Sequence, residues 1–109
     1  VYTTKIMIKV YNLLGLMQRA GKLITGEDLI TKNLKNNKIK LLVIAEDCGI
    51  NTKKKLTDKA NFYNVKCIEF STIEDISIAI GRDNRVAVGI TDDGFIKKFK
   101  QLLEEGGKQ

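Results

Sequence analysis

A chain of 109 residues, 43% hydrophobic and 29% charged, has the size and apolar content of one domain that builds its own core without disulfides or a structural metal. It has no histidine, and its two cysteines, Cys48 and Cys67, stand far apart with no second ligand pair near either, which argues against zinc, haem and imidazole acid–base chemistry. The net charge of +6 is unevenly shared, since residues 1–66 hold 13 Lys/Arg against 5 Asp/Glu while residues 67–109 hold 6 against 8, and that asymmetry suits either an anionic partner for one face or a solvated basic surface.

No run of about 18 apolar residues is present to span a bilayer. The N-terminus carries no basic head followed by an apolar stretch and a small-residue cleavage site. The expectation is a soluble, unexported, cytoplasmic protein whose cysteines are reduced thiols in or beside the core.

Along the chain, Ile6, Val10, Leu13, Leu14, Met17 and Ala20 recur at three- and four-residue steps, so Thr4 to Ala20 reads as an amphipathic helix ending at Gly21. Gly21 and Gly26 bracket a short extended piece, Leu23-Ile24-Thr25. From Glu27 to Asn37 a second helix places Ile30 and Leu34 on one face and Asp28, Lys32 and Lys35 largely on the other. Gly26 at its start can bring backbone close to a partner with no Cβ in the way, and the free N–H groups of the first turn would point at that partner.

Lys40 to Ala45 is a continuous apolar run that suits a strand covered on both faces. Glu46-Asp47 opens a loop, after which Asn51 or Thr52 can cap a helix with Leu56, Ala60 and Tyr63 inward. A strand follows from Val65 to Phe70. Thr72 to Asp75 has the spacing of a capping box, and Ile76, Ala79 and Ile80 carry that helix to Gly81. The polar loop Arg82-Asp83-Asn84-Arg85 leads into the small-residue strand Val86 to Ile90, whose Gly89 suggests close packing or a bulge. Thr91-Asp92-Asp93 then starts a last helix with Phe95, Ile96, Phe99, Leu102 and Leu103 inward, and Gly106-Gly107 ends the ordered chain.

Helix and strand alternating in this way, without repeats or linkers, imply a single α/β domain over 1–109: a three-layer α-β-α sandwich with a small mixed, mostly parallel four-stranded sheet. Ligands of such sheets meet the chain at the loops beyond the strand ends.

Enzyme signatures are absent: there is no Gly-x-Gly-x-x-Gly, no phosphate-cradling Gly-Lys-Ser/Thr loop and no Gly-x-Ser-x-Gly elbow. Glu46-Asp47 at a strand end could hold magnesium or accept a phosphoryl group, or be a solvated turn. Lys53-Lys54-Lys55, with Lys59 one turn on, sets cations in the first turn of a helix, where the dipole disfavours them by a few tenths of a kcal/mol each. A polyanion or solvent could offset that. Arg82 and Arg85 suit phosphate or base-edge contacts, or a plain surface turn. Phe62 and Tyr63 do not form a stacking platform, so any RNA bound would be recognised by shape.

Gly26-Glu27-Asp28-Leu29-Ile30-Thr31-Lys32 followed by Lys40 to Asp47 resembles the kink-turn-binding ribosomal proteins of the large subunit, and Leu16 to Lys22 with Asn51 to Leu56 is similar to the bacterial YlxQ-type branch. In that family a Gly-x-Asn-Glu-x-x-Lys signature inserts into the groove of a kinked RNA and reads sheared guanine–adenine pairs. Gly26 and Lys32 match it, whereas Asp28 stands for Asn and Leu29 for Glu. An Asp cannot donate the amide hydrogen bonds of Asn, so Glu27 and Asp28 would accept from guanine instead. The family's apolar loop before the last strand is here Arg82 to Arg85, which shifts affinity toward phosphates and toward salt sensitivity.

The resemblance implies a non-catalytic, monomeric protein that binds structured RNA, ribosomal or kink-turn-containing, with no cofactor, metal or membrane partner. The contacts it implies are Lys22, Thr25, Gly26, Glu27, Asp28, Thr31, Lys32, Lys35, Asp47, Arg82, Asn84 and Arg85. A protein-interaction adaptor on the same fold is the competing reading. A magnesium-assisted phosphoacceptor at Asp47 is a third, and it lacks supporting acids and a positioned base.

Overall fold

The structure, a computed structural model, describes residues 2–107. Five helices and four strands alternate as α1 (Thr4–Arg19), β1 (Leu23–Thr25), α2 (Glu27–Lys35), β2 (Leu41–Ile44), α3 (Ile50–Phe62), β3 (Lys66–Glu69), α4 (Ile73–Ile80), β4 (Ala87–Ile90) and α5 (Asp93–Gly107). The three-layer α-β-α arrangement follows from the pleat of β2. Leu41 and Val43 face a cluster with Val10, Leu14 and Met17 of α1, Ile76 and Ile80 of α4 and Phe99 of α5. Leu42 and Ile44 face the opposite cluster, with Ile30 and Leu34 of α2 and Leu56 and Ala60 of α3. All four strand residues are buried, each contributing about 1.5–3 kcal/mol of apolar transfer.

The sheet order is β1-β4-β2-β3. Only β2 and β3 pair in parallel, whereas β4 runs against both β1 and β2. The sheet is therefore mixed, as expected, but not mostly parallel. The reason lies in the connection before β4. A parallel crossover has to carry the chain back along the whole sheet, as the 13-residue α3 does between β2 and β3. After β3, by contrast, α4 starts where β3 stops and the loop after it comes back to the same end. Glu46 N–H donates to Ser71 O at 2.8 Å and Ala45 N–H to Val86 O at 2.9 Å, so β2 ends, β3 ends and β4 begins at one edge of the sheet. Having returned to the end it left, the chain must run the other way.

One further expectation changes. The third helix begins at Ile50 behind Gly49, with no side-chain cap, rather than at Asn51 or Thr52. The last helix, α5, runs to Gly107, and Gly106 lies under Tyr2, where a Cβ would come within 2.5 Å of the ring. Gly89 is the close-packing glycine its strand context suggested, since a Cβ there would meet Ile39 Cδ1 at 2.6 Å.

Candidate nucleic-acid interface

Because β1, β2 and β3 share one direction and β4 opposes them, the start of α2, the β2–α3 loop, the start of α4 and the α4–β4 loop all gather at one end of the sheet. Gly26 turns the chain there with φ 92° and ψ 131°, a conformation that L side chains rarely adopt. It opens α2 without a side-chain cap, leaving the first-turn N–H groups of the helix without a capping acceptor. Thr31 spends its hydroxyl inside the helix, donating to Glu27 O at 3.0 Å. Asp28, Leu29 and Lys32 are exposed, and Leu29 is 56% exposed, an apolar side chain on a polar rim.

The Arg82–Arg85 turn is brought to the same place by α4. Gly81 ends that helix in the left-handed conformation (φ 70°), and Arg82 N–H donates to Ser77 O at 3.0 Å, the hydrogen bond of a Schellman ending. Asn84 takes φ 50°, tolerable for Asn, and Arg85 N–H donates to Ser77 Oγ at 2.8 Å. The Arg85 guanidinium then lies over the start of α2, where a Cβ built on Gly26 would be 3.8 Å from Nη1. Its Nε is shielded from solvent and has no hydrogen-bond partner among the described residues. A cation at the positive end of a helix is unfavourable by about 0.3–1 kcal/mol. An anion placed between them would reverse that sign for both.

The neighbouring acids and lysines are already engaged. Glu46 Oε1 accepts from Ser71 N–H at 3.1 Å and Asp47 Oδ1 from Ile73 N–H at 2.8 Å, so this pair fixes the start of α4. No group of three or more metal-ligating side chains occurs among the described residues. Lys53 Nζ donates to Glu69 Oε1 at 2.8 Å and to Glu46 O at 3.0 Å, and the bond to Glu69 raises its pKa. Lys54 pairs with Asp58 at 2.9 Å and Lys55 with Glu27 at 3.6 Å. The basic first turn of α3 is thus compensated within the protein, each exposed pair adding about 0–1 kcal/mol.

Of the residues singled out from sequence, Thr25, Gly26, Glu27, Asp28, Thr31, Lys32, Asp47, Arg82, Asn84 and Arg85 come to this end of the sheet. Lys22 does not: it precedes β1 at the opposite edge, its carbonyl accepting from Thr91 N–H and Oγ1–H at 3.0 and 3.2 Å. Lys35 ends α2, about 12 Å from the start of that helix. Ser77, beneath the arginine turn, shapes the site and was not singled out from sequence, whereas Lys55, noted there as part of a basic helix start, pairs with Glu27. Ser77 had a signal, a polar residue on the buried stripe of Ile76 and Ile80.

Both cysteines are free, Cys48 buried and Cys67 half-buried, and burial pushes both thiols above their ordinary pKa. No helix among the described residues is long and apolar enough to cross a membrane.

The arrangement has relatives. RNA-binding protein YlxQ of Enterococcus faecium is 47% identical over 96 residues, covering 88% of this chain and 92% of that protein. RNA-binding protein YlxQ of Bacillus subtilis (strain 168) is 42% identical over 94 residues, covering 86% and 94%. A solved protein of unknown function from Bacillus halodurans superposes with a TM-score of 0.81 at 38% identity, covering 88% of this chain and 97% of that one. A Giardia lamblia 15.5 kD RNA binding protein shares the fold, with a TM-score of 0.72 at 13% identity over 97% of this chain and 91% of that one. The model of the ribosomal protein L7Ae/L30e/S12e/Gadd45 family matches residues 8–100. The chain belongs to that family.

Proposed function

We propose that this protein is a non-catalytic RNA-binding protein that grips a structured, kink-turn-like RNA with the sheet end built from the α2 start and the Arg82–Arg85 turn. The observation that carries the reading is the Arg85 guanidinium held over Gly26, its Nε unpartnered, against the uncapped N–H groups of α2. Two positive features facing one another are relieved by one phosphate, which accepts from both. Lys32, exposed further along α2, would extend the cationic strip, and the exposed Asp28 would accept from a guanine edge. The names of the YlxQ relatives support RNA as the ligand class. A kink-turn-containing RNA, ribosomal or other, bound by a monomer in the cytoplasm, is the form this reading takes.

Fluorescence anisotropy with a labelled kink-turn RNA tests it through Arg85→Glu. Charge reversal beside a phosphate should weaken binding by roughly tenfold or more at low salt, with an unchanged circular dichroism spectrum. Equal binding by wild type and variant would remove this surface from consideration.

A further inference from the structure

We propose that Ser77, buried in α4, is a positioning residue for RNA binding, because it holds both ends of the turn that presents Arg85. This rests on the RNA-binding reading above. Its backbone carbonyl accepts from Arg82 N–H at 3.0 Å and its Oγ accepts from Arg85 N–H at 2.8 Å, so one residue closes the turn twice. Only the second of these bonds depends on the side chain. Ser77 is 6% exposed, on a face otherwise made of Ile76 and Ile80, where a hydroxyl has no packing advantage. A buried polar group persists where its hydrogen bond is made.

The helix that carries Ser77 is itself immobilised at several points. Asp47 Oδ1 accepts from Ile73 N–H at 2.8 Å, Thr72 Oγ1 caps Asp75 N–H at 3.1 Å, and Tyr11 and Ser71 share a 2.7 Å hydrogen bond at the junction before the helix. On its flank α4 lies directly on α1, so close that a Cβ on Gly15 would stand 2.9 Å from Ala79 O. The Arg85 turn is thereby referenced through Ser77 to a fixed helix, although its own residues 82–84 are exposed and its neighbour across the site, Gly26, makes no side-chain contact to hold it. Without the Oγ acceptor, Arg85 N–H turns to solvent and the guanidinium samples positions away from α2.

A double-mutant cycle reads this directly. Titration of a labelled kink-turn RNA should show Ser77→Ala binding about fivefold more weakly than wild type, the equivalent of one ordinary hydrogen bond. In the Arg85→Ala background the same Ser77→Ala change should alter affinity by less than about twofold, since the group it positions is gone. A hydroxyl needed only for general stability would lower affinity by the same factor in both backgrounds, and that result overturns the proposal. So does Ser77→Ala binding like wild type. If Arg85→Ala itself binds like wild type, the proposal fails at the arginine; if wild type does not bind the RNA at all, the functional reading fails first and takes this with it. Ser77→Cys, whose somewhat larger thiol is a poorer acceptor, should fall between Ser and Ala.

Discussion

Lys55 reaches across from α3 to Glu27 in the first turn of α2, Nζ to Oε1 at 3.6 Å, and so turns the first of two adjacent carboxylates back toward the protein. Asp28, the next residue, is left exposed. It occupies the position at which the resembled family signature has Asn. Asp28→Asn removes a negative charge from the proposed RNA surface and restores an amide donor. Binding to a kink-turn RNA should tighten by about three- to tenfold, with preference over a straight duplex rising, given that a good base-edge contact discriminates by roughly 1–3 kcal/mol. Side-by-side titrations of both RNAs check it. Lys55→Ala, by contrast, should change stability by less than about 0.5 kcal/mol, because the pair is exposed.

Lys32 is exposed on the same helix face, without an acid partner within 4.0 Å among the described residues. Lys32→Ala should weaken RNA binding by a similar factor for different RNA sequences and reduce the slope of log K against log salt by about 1. A sequence-dependent loss with an unchanged slope would assign Lys32 to base contact instead.

Gly89 sits mid-sheet in β4, paired to Ile24 on one side and Leu42 on the other, with Ile39 pressed onto it. A methyl group at 2.6 Å from Ile39 Cδ1 overpacks a buried site, so Gly89→Ala should cost about 1–3 kcal/mol. Thermal unfolding should show a melting point lower by roughly 4–8 °C per kcal/mol. Ile39→Val in the same chain should restore part of the loss by giving the methyl room.

Burial raises the thiol pKa of both Cys48 and Cys67, so the folded protein keeps their protons more tightly than the unfolded chain does. The stabilisation is therefore complete below the ordinary thiol pKa of about 8.5 and is lost as pH rises through the higher folded values. Unfolding midpoints in urea should fall on the alkaline side of about pH 8.5, and by less in a Cys67→Ala variant corrected for its own packing loss. Native-state alkylation at neutral pH should be slow, slower at Cys48 than at Cys67, as mass spectrometry of timed aliquots would show.

Much of the fold was legible because local rules decided it. The apolar steps of α1, the unbroken run of β2 and the Thr72 cap of α4 are read from neighbours in sequence, and each stands as expected. The direction of β4 was not legible. It follows from the α4–β4 connection returning to the end of the sheet where β3 stops, a long-range matter. The start of α3 at Ile50 escaped capping rules because Gly49 enters the helix without any side-chain bond. Family resemblance and the glycine at position 26 pointed to the α2 start and the arginine turn as candidates, and the topology brings the two to one end of the sheet. The proximity of Arg85 to Gly26, the withdrawal of Glu27 by Lys55 and the hold of Ser77 on the turn depend on residues far apart in the chain, which no spacing rule connects.

If this sheet end recognises RNA shape, affinity discriminates a kinked from a straight duplex. The most direct measurement is the affinity of the wild-type protein for a kink-turn duplex and for a straight duplex of the same length and base composition, at about 150 mM monovalent salt, where purely electrostatic binding is weak. Shape recognition predicts at least tenfold tighter binding to the kinked RNA, reduced by Arg85→Ala. Equal affinity for the two duplexes would contradict it.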